Sequence, residues 1–327
     1  MPDFGGKSNG KGAALALSAM AIFATHDVII KHLGQTYSPV QIVFFAALLS
    51  FPLLSMILLN DKRGGSLRPI HPGWVVARVV FALAAGFCAF YAFSTLPLAQ
   101  VYPLLFATPL LITVLSIPML GEKVGLHRWA AVIIGLIGVI IVVRPGQATL
   151  QLGHLAALTS AVCGSMSSII VRKIGNEERS VVLLLSPILG NVIIMGAALP
   201  AVWVPLQLPD LGFMAVIAVF GLSASFLQIL AYRAGEAAIV APMQYSQILW
   251  AVLYGSLIFG EKVDVETLIG ASVVILSGMY IVFRETRADV SEHQPVLRNR
   301  GRPETVTSPR ASLLARVTGL RARNSRS

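Results

Sequence analysis

What this chain has least of is charge. Only 12% of its 327 residues are Asp, Glu, Lys or Arg, about half the share in an ordinary soluble domain. Such a deficit excludes water as the main solvent of the folded surface and points to lipid, as does a mean hydropathy of +0.77. Cysteine is nearly missing too: Cys88 and Cys163 are the only two. Both fall inside apolar runs, where they read as small core residues rather than a disulfide or metal pair. The six histidines show no metal-ligand spacing. There is no P-loop and no room for a soluble nucleotide domain, so neither a cofactor nor ATP-driven work is expected. Alternation over ~10-residue segments is also lacking, which excludes a membrane β-barrel.

In place of these comes a succession of apolar runs near the ~20 residues that cross a bilayer. Ten can be drawn, at about 12–33, 39–59, 73–95, 98–119, 127–144, 153–172, 180–203, 211–233, 238–259 and 266–283. In hydrocarbon the backbone must satisfy its own hydrogen bonds, so the runs are predicted to be helices. Lys7 and Lys11 make the first run look like a signal peptide. It is too long for one, carries His26, Asp27 and Lys31, and lacks a small-x-small cleavage site, so it is expected to remain as a span.

With the N-terminus placed in the cytoplasm, ten spans put 13 Lys and Arg residues on the inner side. Three fall outside: Lys31, Arg144 and Lys262. This bias predicts cytoplasmic termini, supports the count of ten, and suits a multi-pass protein of a bacterial inner membrane. Past Arg284 the composition changes, and nine of the 25 basic residues lie there. The stretch RNRGRPETVTSPR is expected to be disordered. ASLLARVTGLRAR is either a solvated basic tail or a short interfacial helix on anionic lipid. Basic residues beside spans, without interleaved aromatics, argue against a nucleic-acid partner. The chain thus divides into a cytoplasmic N-terminus (1–11), two five-helix units (12–146 and 153–284) and a basic tail (285–327).

The two units are related. At an offset of 139 residues, Ala99 falls on Ala238, Val101 on Val240, Pro103 on Pro242 and Leu110 on Leu249. The tetrapeptide Gly121-Glu122-Lys123-Val124 falls on Gly260-Glu261-Lys262-Val263. Each copy ends the fourth helix of its unit, and a helix rich in small residues, which allow close packing in lipid, follows. Five is odd, so the second unit enters the membrane from the opposite side. The fold expected is all-α: ten transmembrane helices as two inverted five-helix repeats. Inverted repeats mark secondary transporters with a midplane site, although a duplication can also leave a passive scaffold. Glu122, Lys123, Glu261 and Lys262 are read as structural markers in short, wet turns.

These features resemble the drug/metabolite transporter superfamily, in its ten-helix branch with two EamA-type units. The likeness is carried by VVARVVFALAAGFCAFYAFSTLPLAQVYPLLFATPLLITVLSIPMLGEKV and the Gly-rich helix after it, and by LAYRAGEAAIVAPMQYSQILWAVLYGSLIFGEKV in the second half. It implies ten helices around a central cavity and alternating-access movement of small organic molecules. The first half is closest in wording to vitamin and nucleoside-like importers. Riboflavin is therefore the leading substrate, with S-adenosylmethionine uptake, or export of amino acids or drugs, as alternatives. Many members carry WGSN in the first helix where this chain has FATHDVIIK, so substrate identity does not carry over at that position.

Polar groups in hydrocarbon are costly and need an account. Asp27 and Lys31 are four residues apart on one helix face. Either His26 and Asp27 form a proton-coupling site, or Asp27 pairs with Lys31 as a structural ion pair; near the helix end, the long stem of Lys31 also allows it to reach outward to water. In the ninth span Gln244, Gln247, Trp250 and Tyr254 fall within about 120° on an ideal helix. Two amides and two aromatics suit a flat, hydrogen-bonding ligand, though Trp250 and Tyr254 also fit an interfacial belt. Tyr91, Tyr102, Asn191 and Gln228 are open between cavity lining and helix–helix hydrogen bonding. A membrane enzyme would need clustered catalytic groups, and His26 with Asp27 has no nucleophile beside it. The partners expected are therefore a small-molecule substrate and the bilayer. One chain suffices for a pathway, and a homodimer is left open.

Overall fold

A computed structural model describes residues 9–59, 68–121, 124–144, 151–175, 177–235 and 237–285. The expectations for Glu122, Lys123 and the tail beyond 285 lie outside these. The regular structure of the described residues is all helical, with no strand among them. The helices are α1 (Asn9–Leu33), α2 (Pro39–Leu59), α3 (Pro72–Thr95), α4 (Leu98–Leu105), α5 (Ala107–Leu120), α6 (Leu126–Val143), α7 (Leu152–Ile174), α8 (Ser180–Ala198), α9 (Leu208–Ala234), α10 (Ala237–Val240), α11 (Gln247–Phe259) and α12 (Val265–Glu285). Residues Ala241–Ser246 form a 3₁₀ stretch.

Ten spans account for these pieces. Seven helical stretches, α4–α5 counted as one, are long and apolar enough to cross a membrane; α2 and α8 contain shorter apolar windows. The fourth span is α4 plus α5, broken at Phe106. The ninth is α10, the 3₁₀ stretch and α11. Each break has a proline at it: Pro103 stands three residues before Phe106, and Pro242 sits in the first turn of the 3₁₀ stretch; proline lacks an N–H and clashes with the carbonyl four residues back. Phe106 and Tyr245, one in each break, are 139 residues apart and so equivalent. Their rings meet edge to face with centroids 5.0 Å apart. Equivalent residues that touch lie on the axis relating the two units.

The packing repeats that symmetry. The first span (α1) lies along the eighth (α9), and the sixth (α7) along the third (α3), which is the same pairing in the other unit. The fifth and tenth spans, α6 and α12, pack on each other. A Cβ on Gly138 would stand 2.9 Å from the Gly270 carbonyl oxygen. The equivalent contact exists: Ser277 Oγ donates to the Ala131 carbonyl.

Contacts between connections also sort into two faces. On one, Tyr37 donates to Asp210 at 2.6 Å and Gln41 donates to the Val204 carbonyl at 2.8 Å; Arg144 pairs with Asp264. On the other, His71 Nε2 lies 2.5 Å from Glu177, and Lys173 reaches the Met119 carbonyl at 3.4 Å. Gly121 (φ 69°) and Gly260 (φ 64°) both cap their helices in the left-handed conformation, which glycine adopts without strain. One stands on each face, as an inverted repeat requires.

Candidate substrate site

α1 brings His26 and Asp27 into the middle of the bundle, 3% and 1% exposed. Nδ1 of His26 lies 2.8 Å from Oδ1 of Asp27. The Tyr102 hydroxyl, from α4, donates to Oδ2 at 2.6 Å. Buried charge is held only where hydrogen bonds replace water, and Asp27 has them from two helices. The His26 ring stands edge-on to Phe90, and the Tyr102 ring contacts Phe93 and Phe106. Through Phe106 the group reaches Tyr245 and so the second unit.

The structure corrects the expected ion pair between Asp27 and Lys31. Lys31 is buried rather than drawn out to water, and its Nζ sits 2.6 Å from Glu261. Lys31 and Asp27 do lie one turn apart, but a carboxylate from the other unit competes for the ammonium. Glu261 is therefore corrected as well: its carboxylate is 12% exposed and paired across the repeat, not in a wet turn. Lys262 beside it is exposed.

The stripe on the ninth span is also differently built. Gln244 belongs to the 3₁₀ stretch, so the 100° step that aligned it with the others does not apply. Gln247, Trp250 and Tyr254 remain together on α11. Trp250 and Tyr254 stack with centroids 5.9 Å apart and planes at 25°. The Tyr254 hydroxyl lies 3.2 Å from Thr25 Oγ1, on the turn of α1 that carries His26. That contact places its polar end inside the bundle. Gln247 is buried, and its Nε2 has no hydrogen-bond partner; the same is true of Ser246 Oγ next to it. Unsatisfied buried donors are rare in native proteins and need an explanation.

Symmetry ties these parts together. In the second unit Ser165 Oγ donates to the carbonyl of Thr108 at 3.1 Å. The equivalent positions are His26 and Gln247, and α1 packs along the 3₁₀ stretch and α11. His26, Asp27, Tyr102, Gln247 and Tyr254 thus share one region between the units. Tyr91 is not drawn into this group by any hydrogen bond of its hydroxyl; its carbonyl accepts from Ser94 and Thr95. Thr25, Phe106, Tyr245 and Ser246 were not singled out in the sequence. The alignment of Phe106 with Tyr245 under the repeat was the available signal.

The sequence matches the EamA-like transporter family twice, over residues 10–144 and 151–284. Among characterised proteins it is 23% identical to an S-adenosylmethionine uptake transporter of Rickettsia bellii, over 85% of this chain and 95% of that one. It is 27% identical to a riboflavin transporter of Vibrio cholerae, over 85% and 94%. A pseudopaline exporter of Pseudomonas aeruginosa is 23% identical over 81% and 94%. A crystal structure of a protein 17% identical to this chain matches its fold with a TM-score of 0.54, over 83% of this chain and 95% of that one.

Proposed function

The chain belongs to the EamA-like transporter family, and from that premise we propose that it is a secondary transporter importing a flat, vitamin-like heteroaromatic compound, riboflavin first among them. It is a multi-pass membrane protein. We place it in a bacterial inner membrane with both termini in the cytoplasm, on the strength of the 13-to-3 distribution of basic residues. Its two units, residues 12–146 and 153–284, would rock about the axis between Phe106 and Tyr245.

The observation that carries the substrate proposal is Gln247. Its buried amide N–H groups have no acceptor among the described residues, beside a stacked Trp250–Tyr254 pair. A flat ring with carbonyls on its edge supplies both a stacking face and the missing acceptor. A cationic substrate such as S-adenosylmethionine is the second reading, favoured by the Asp27 carboxylate at the same level of the bundle. His26 and Asp27 are proposed as the coupling pair, since a buried imidazole and carboxylate in contact can hold and pass a proton.

Radiolabelled uptake in cells that cannot make riboflavin tests this, with S-adenosylmethionine run alongside. Gln247→Ala is expected to cut riboflavin uptake roughly tenfold, about the loss of one buried hydrogen bond. It should lower thermal stability only by the packing it removes, because the amide Nε2 bonds nothing among the described residues. Loss of stability with unaltered uptake per folded molecule would make Gln247 a packing residue. Absent riboflavin uptake by the unsubstituted protein would sink the lead substrate.

A further inference from the structure

The repeated Gly-Glu-Lys-Val is structurally alike in its glycines but not in its surroundings. In the second copy Glu261 is bound on both oxygens. Oε1 is 2.6 Å from Lys31 Nζ, and Oε2 accepts the Leu98 backbone N–H at 3.0 Å. Lys31 in turn donates to the Leu96 carbonyl at 2.5 Å and lies 5.3 Å from the centre of the Phe259 ring. The side chains of Lys31 and Glu261 are 10% and 12% exposed. One carboxylate therefore ties α1 and the α3–α4 turn, in the first unit, to the α11–α12 turn of the second. It does so on one face, one helical turn from Asp27. The carboxylate lies back against Gly255, where a Cβ would stand 2.6 Å from Oε2.

Two positions decide whether the other copy can do the same. The equivalent of Lys31 is Ile170, which is buried and carries no charge. The equivalent of Gly255 is Ser116, also fully buried, with its hydroxyl bonded to the Thr113 carbonyl. Its side chain fills the space that Glu261 uses in the second copy. Lys173, three residues past Ile170, is exposed and lies over the Trp74 ring.

We propose that Lys31 and Glu261 form an ionic gate that holds the Lys31 face shut over the substrate site, a pair that the first copy of the motif cannot repeat at the equivalent position, where Ile170 stands in place of Lys31. An ammonium and a carboxylate out of water are stable only together, so opening this face must break the pair or hand each partner to water. That makes closure here a separate, ion-dependent step in the cycle. The proposal rests on the transporter reading, but not on any particular substrate.

The test is a distance measurement on the purified full chain without substrate. Spin labels at Gln35 and Lys262, both exposed on this face in different units, report the gap; Cys88 and Cys163 are first replaced by alanine. The parent is expected to give one short, narrow distribution. Glu261→Gln, which keeps an acceptor for Leu98 but loses the charge, should add a longer population and raise the open fraction about tenfold. Gly255→Ser should do the same by displacing an intact Glu261. Lys31→Met breaks the pair from the other side and serves if Glu261→Gln is not monodisperse. Parent-like distances in these single substitutions would overturn the gate. A failed riboflavin assay would leave the distance result standing.

Discussion

Asp27 is where the cost of a charge in hydrocarbon is largest and best compensated. It is 1% exposed, and its contacts with His26 and Tyr102 come from α1 and α4. Hydrogen bonds to a charged group are worth about 1.5–3 kcal/mol, so Tyr102→Phe should destabilise the protein by about that amount, read as a lower thermal midpoint in detergent. Asp27→Asn separates structure from coupling. An amide oxygen still accepts from Tyr102, so folding should survive, while concentrative uptake falls to background and substrate exchange across the membrane persists. Equal accumulation by Asp27→Asn and the parent would remove Asp27 from coupling. The sequence made His26, Asp27 and Tyr102 conspicuous as polar groups inside apolar runs, but their association was not legible there. Nor was the choice Lys31 makes. Spacing along one helix favours Asp27, whereas Glu261, 230 positions on, wins through a fold-level contact that no local pattern encodes.

Among the elements, the fourth and ninth spans and the α6–α12 pair set what can move and what cannot. The breaks near Pro103 and Pro242 leave short pieces at the axis, where the proposed rocking motion would have its pivot. The α6–α12 contact is the opposite: backbones meet through Gly138 and Gly270 with no space for a side chain. Gly138→Leu should force these helices apart and lower stability by about 1–3 kcal/mol, measured as a thermal midpoint. Gly73→Ala, where an added Cβ meets nothing within 4 Å, is the neutral control. Comparable losses in both would mean the effect is general to glycine. The ten spans were legible because bilayer thickness fixes their length. Pro103 and Pro242 marked where two of them bend. That residues Ala241–Ser246 around Pro242 tighten into a 3₁₀ stretch, moving Gln244 out of line with Gln247, depends on packing at the axis and had no signature in the sequence.

For the whole molecule the decisive property is sidedness. Every connection contact described above joins loops of one face, and the two capping glycines of the repeated motif fall on opposite faces. Only an odd number of spans per unit produces that arrangement. In the orientation proposed from the excess of basic residues, the Gly121 face is cytoplasmic and the Gly260 face exterior. Single cysteines in a background lacking Cys88 and Cys163 test both statements at once. Val124→Cys and Lys262→Cys stand three and two residues beyond the capping glycines, outside the helices. A membrane-impermeant maleimide applied to intact cells should label Lys262→Cys and spare Val124→Cys. Permeabilised cells should give label at both. Labelling of both, or of neither, before permeabilisation would put the motifs on one face and break the inverted repeat. Labelling of Val124→Cys alone would keep the repeat but reverse the molecule, so that the Lys31–Glu261 gate closes toward the cytoplasm.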